Sequence, residues 1–80
     1  LRLTKYNGWT NYETWCVNLW LANDEYTAKT LEEFSKNEDA QGLKNYIEED
    51  KPELRGMWSD LLDAALSEVD WYEIVKSNRE

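Results

Sequence analysis

Two pairs of carboxylates stand three residues apart, Asp60 with Asp63 and Asp70 with Glu73, a spacing that puts both members on one face of a helix. Such a pair could pass protons as general acid and base. Neither has the company that work needs: the chain contains no histidine, no glycine-rich phosphate loop and no nucleophile in register with them. A solvated helix face accounts for Asp60 and Asp63, and a helix cap for Asp70. Cys16, the single cysteine, falls among Trp15, Val17 and Leu19, where cysteine behaves as a small apolar residue rather than a thiolate. The chain is expected not to be an enzyme.

Metal binding has one candidate. Asn37, Asp39, Gln41, Gly42, Asn45 and Glu48 occupy positions 1, 3, 5, 6, 9 and 12 of an EF-hand calcium loop, between two expected helices. The pattern is damaged, because Asn stands first instead of Asp, Lys44 replaces the inward apolar residue, and Pro52 cuts the exiting helix short. No metal or other cofactor is expected.

The elements that must position these groups read as helices. Thr10 with Glu13 forms a capping box that would start a helix running from about Asn11 to Ala22, its stripe made of Tyr12, Trp15, Cys16 and Leu19. That helix is apolar nearly all round and is expected to be the central one, with the rest of the chain packed on its stripe. Asn23-Asp24 caps a second helix, Glu25 to Ser35, which turns Thr27, Leu31 and Phe34 to one side. Asn37-Glu38-Asp39 precedes a third, marked by Ala40, Leu43, Tyr46 and Ile47 and stopped by Pro52, with Gly42 as its weak point. After Gly56, the stripe Met57, Trp58, Leu61, Leu62, Ala65 and Leu66 defines a fourth. Asp70 caps a short fifth, with Val69 and Ile74 as a hydrophobic staple. Leu1 to Asn7 alternates as an extended arm closed by a turn at Asn7-Gly8. The expected fold is all-α, a compact bundle of four to five short helices in one acidic domain over residues 1–80, with an extended N-terminal arm.

Eighty residues are few for a stable core, so the five Trp, five Tyr and one Phe are expected to supply it. Trp9 and Trp20, at the edges of the first helix's stripe, are candidates for exposed interface anchors. Nothing in the chain resembles a membrane span or a leader, and a cytoplasmic location is expected. Charge is unevenly placed. Residues 1–22 carry a net of +1 and residues 23–80 a net of −9, which disfavours nucleic acid and anionic membranes as direct partners. Glu48, Glu49, Asp50, Glu53, Asp60 and Asp63 are the carboxylates best placed to meet a basic partner. A globule about 30 Å across matches a duplex length carrying about 18 phosphate charges. The nine basic residues dilute the seventeen carboxylates, so any DNA mimicry is partial.

The run Gly8-Trp9-Thr10-Asn11-Tyr12-Glu13-Thr14-Trp15, with Val17 to Leu21 and Asn23-Asp24 after it, resembles the Gly-Trp-Thr-Asn-Tyr-Glu-Thr-Trp family of small uncharacterised proteins of phages, plasmids and their prokaryotic hosts. The segment from Asp60 to Trp71 is similar to that family's C-terminal part. The resemblance implies a mobile-element setting and carries no site residues. With the acidic excess, it leads to the expectation of a phage or mobile-element protein that binds a host protein. The expected target is a nucleic-acid-handling defence complex, inhibited as an anti-CRISPR or anti-restriction factor. The alternative is a structural or assembly module that self-associates or docks through exposed Trp and Tyr; the oligomeric state is left open.

Overall fold

The computed structural model describes residues 6–79. The first five residues of the expected arm lie outside them. Five helices follow in order: α1 (Tyr12–Asn23), α2 (Glu25–Lys36), α3 (Ala40–Glu49), α4 (Met57–Ser67) and α5 (Trp71–Ser77). The all-α fold is as expected. The Asn7-Gly8 turn is present, with φ of 47° and 87°, and Tyr6 and Trp9 exchange two N–H···O bonds of 2.7 Å across it. Both central residues are left-handed, as a type I′ turn requires, and Asn followed by Gly is the pair that adopts it with least strain.

Side-chain caps start four of the helices. Asn11, Asp24, Asp39 and Asp70 accept from the backbone N–H groups of Thr14, Thr27, Gly42 and Glu73 at 2.9, 3.2, 2.9 and 3.0 Å. Gly56 precedes α4 without a side-chain cap. The first of these corrects the expected box, since Asn11 rather than Thr10 caps α1. Asn11 accepts with its Oδ1 from Thr14 and donates with its Nδ2 to the Glu68 carbonyl, two separate atoms that reach both neighbours at once. The EF-hand-like spacing from Asn37 to Glu48 lies mostly on helix: residues 40–49 are helical, Asp39 caps α3, and Gln41 donates to Asn45 Oδ1 at 3.0 Å.

The core is aliphatic rather than Trp-rich. Leu21, Leu31, Leu43, Val69, Ile74 and Val75 are buried with a single tryptophan, Trp71. Trp9, Val17, Phe34, Ala40, Ile47 and Leu66 pack partly buried against them. Its hub is not α1 but α2 with the seven-residue α5: each touches the other and both α1 and α3, and α5 buries Trp71, Ile74 and Val75. The staple is real, with Val69 and Ile74 both buried. In α1 the stripe chosen from periodicity faces the wrong way: Tyr12 and Leu19 are exposed, while Thr14 and Leu21 are buried and Val17 leans on the core. A helix apolar round its circumference offers no unique face to a periodicity argument. The helix α3, expected to suffer from Gly42, depends on it instead. A Cβ there would stand 2.8 Å from Phe34 Cε1 and 2.6 Å from Asp39 Cγ, so the close approach of α2 and α3 needs a residue without one.

Candidate functional site

Where the two ends of the described chain meet, polar side chains fill the interior. Asn11 Nδ2 donates to the Glu68 carbonyl at 2.6 Å, and Thr14 Oγ1 donates to Asn11 Oδ1 at 2.6 Å. The same Thr14 oxygen accepts from the Asp70 N–H at 2.9 Å, and Glu73 Oε1 accepts from the Thr10 N–H at 3.1 Å. Asn78 Nδ2 adds a bond of 2.8 Å to Asn18 Oδ1 at the far end of α5. Thr14 is wholly buried and Asn11 nearly so, so these bonds replace water that cannot reach them. The knot fastens the start of α1 to the α4–α5 connection. It joins the two segments that carry the family resemblance, and it occupies the Asp70–Glu73 pair: one carboxylate caps α5 and the other holds Thr10.

The opposite arrangement holds on α4. Its stripe begins as expected but is not covered: Met57 is 63% exposed, Trp58 63%, Leu61 55%, and Leu54 just before the helix 42%. No residue of α4 is fully buried; Ser59, Leu62, Ala65 and Leu66 are half-buried, and Leu66 packs against the core. Pro52, which has no N–H to continue a helix, separates α3 from the turn at Gly56. Lys51 Nζ then ties the connection to Asp63 Oδ1 at 3.0 Å. A groove of about 340 Å³ runs beside α4, with Glu48, Lys51 and Asp63 along it and Leu66 and Trp71 among its walls. Leu54, Met57, Trp58 and Leu61 form a face that sequence reasoning assigned to the interior or passed over. The available signal was the carboxylate density around it, since residues 48–70 hold eight acidic groups against Lys51 and Arg55.

The six carboxylates chosen from the sequence are all exposed. Glu48 and Glu49 close α3, Asp50 is its C-cap, Glu53 lies in the connection, and Asp60 and Asp63 stand on α4. Glu48 and Asp63 border the same groove; among the described residues, Asp63 alone of the six has an ion pair, with Lys51. Trp20 is exposed at 73%, as an anchor should be, whereas Trp9 is half-buried against the core and serves the fold. Tyr6, Tyr12 and Trp15 cluster outside α1 with ring centroids 5.0–5.5 Å apart, which lays the Asn7-Gly8 turn against the helix. Half-buried Cys16 lies against this cluster. Its charge when ionised, and its hydrogen bond, hold the Tyr12 phenol above the ordinary 10.0. Among the described residues no group of three or more His, Cys, Asp or Glu is arranged to hold a metal ion. Among them too, no helix is long and apolar enough to cross a membrane.

Fold and surface together define a small all-α domain with one helix uncovered on its apolar side. The chain belongs to a family of unknown function, DUF7249, whose model matches residues 2–79. No curated protein and no solved structure matches it.

Proposed function

We propose that this protein is a non-enzymatic binding domain of a phage or mobile element that docks a host protein through α4 and its acidic surroundings. The observation that carries the reading is the uncovered face of Leu54, Met57, Trp58 and Leu61. Contiguous apolar surface rimmed by polar groups marks interaction sites in soluble domains, and tryptophan is the commonest hot-spot residue. The proposed target is a nucleic-acid-handling defence complex, as an anti-CRISPR or anti-restriction factor would have. Glu48, Glu49, Asp50, Glu53, Asp60 and Asp63 would meet its Lys and Arg side chains as partial stand-ins for phosphates.

Capture from a bacterial lysate at low and high salt, with the chain and its Trp58→Ser/Leu61→Ser variant as baits, tests this. A nucleic-acid-handling protein retained by the parent chain and lost from the variant is the expected result. The same proteins on both baits would remove α4 from the account. A second reading, an assembly module that self-associates, is favoured by Trp20 and Tyr26, exposed at 73% and 76% on α1 and α2. Recovery of the chain's own copies alone would select it.

A further inference from the structure

We infer that the occupant of the α4 face is a basic amphipathic helix of the partner, with apolar residues on one side and Lys or Arg along its flanks. This rests on the docking role proposed above and specifies the chemistry that fills it. The argument begins with shape. The eleven residues of α4 rise about 16 Å at 1.5 Å each, and Met57, Leu61 and Ala64 recur along it at the spacing of a helical seam, with Trp58 beside them. A straight ridge of that length is matched by about three turns of another helix, the mode in which amphipathic segments are read through anchors at i, i+3, i+4 and i+7. Met57 adapts to irregular partners. The exposed ring of Trp58 attracts a cation over its face.

Charge then decides what kind of helix. Residues 48–70 carry a net of −6 of the chain's −8. Asp60 and Asp63, one turn apart, line one side of the seam, and Glu53 and Glu68 stand near its two ends, all exposed. Lys51 is already turned to Asp63. A second copy of this chain would bring its own Glu53, Asp60, Asp63 and Glu68 to the same face, so like charges would oppose the contact at the flanks. A Lys- or Arg-flanked apolar helix meets opposite charge there instead.

The test uses synthetic peptides of about four turns and the intact chain. The probes are a Leu/Lys peptide with a single apolar face, a scrambled Leu/Lys peptide of equal charge and no apolar face, and a Leu/Glu amphipathic peptide. Titration calorimetry should show binding of the first and little of the other two. Trp58→Ser/Leu61→Ser should weaken it by about tenfold or more, as loss of a central hot spot does. Glu53→Lys/Asp60→Lys should do the same, while Glu32→Lys/Glu33→Lys on α2, equal in charge change, should leave affinity within about threefold. Circular dichroism melts confirm that each variant is folded, which the exposure of the replaced residues favours.

Equal loss in the α2 variant would overturn the inference in favour of diffuse attraction, and equal binding of the scrambled peptide would do the same. Sedimentation showing a dimer that Trp58→Ser/Leu61→Ser dissolves would assign the face to a second copy. If lysate capture depends on α4 while the Leu/Lys peptide does not bind, the docking role stands and the basic helix falls.

Discussion

Asn11 and Thr14 are polar and buried, whereas Met57, Trp58 and Leu61 are apolar and exposed. The two regions invert the usual sorting of side chains, and each does so for a definite reason. At the knot, every polar atom that loses water finds a partner of matching geometry: Glu68 carbonyl, Asp70 N–H, Thr14 N–H. Burial there costs little, because the hydrogen bonds are exchanged rather than lost. On α4 the apolar side chains lack a covering layer, because the core is already closed by α5 wedged among α1, α2 and α3. Burial is therefore decided by what stands opposite a residue, not by its own polarity. The contrast also separates maintenance of the fold, which lies at the motif near the chain's start, from the face proposed for a partner.

The strongest way to break this comparison is to open the knot. Asn11→Ala removes a cap worth about 1 kcal/mol and leaves the buried Thr14 hydroxyl without its acceptor and the part-buried Glu68 carbonyl without its donor, at about 1–3 kcal/mol more. A loss of about 3 kcal/mol in urea unfolding is expected; a loss below about 0.5 kcal/mol would mean that the knot does not hold the ends together. Gly42→Ala is next. A methyl there gains about 1 kcal/mol of helix propensity but must displace Phe34, and overpacking at about 1–3 kcal/mol should prevail. A higher melting temperature in that variant would show that α2 and α3 have slack.

Ser35→Ala sharpens the lesson from the other side. Its Oγ is buried and, among the described residues, has no hydrogen-bond partner, unlike the hydroxyl of Thr14. Removing it should stabilise the chain by about 1 kcal/mol, since only the unmet polarity is lost. Thr14→Val, a similar change at a partnered hydroxyl, should destabilise it in the same unfolding assay. The smallest effect belongs to α4. Trp58→Ser/Leu61→Ser, although it deletes far more apolar surface than any change above, should alter stability by no more than about 0.5 kcal/mol. A melt shifted well beyond that would show that the stripe is covered after all, and the proposed docking face would go with it.

How much could be read beforehand varies by element. The starts of α2, α3 and α5 follow from Asp24, Asp39 and Asp70, each accepting from an N–H three residues on, and the Asn7-Gly8 turn follows from two residues that tolerate left-handed φ. The exposure of the six carboxylates could be anticipated because charged side chains stay in water. The α4 face was not found as a surface, because a stripe of Met, Trp and Leu reads identically whether something covers it or not.

Caps, turns and breaks are local bargains between a side chain and backbone a few residues away, so the order of residues is enough to place five helices and the pauses between them. The inward face of α1 and the choice of Asn11 over Thr10 depend on groups 56 to 63 positions apart in the chain, such as Thr14 with Asp70 and Thr10 with Glu73. The central place of α5 depends on its packing with α2 and α3, likewise far away in the chain. No local rule links residues so distant. Only the closed bundle brings them within hydrogen-bond reach, and in closing around α5 it leaves α4 with one side bare.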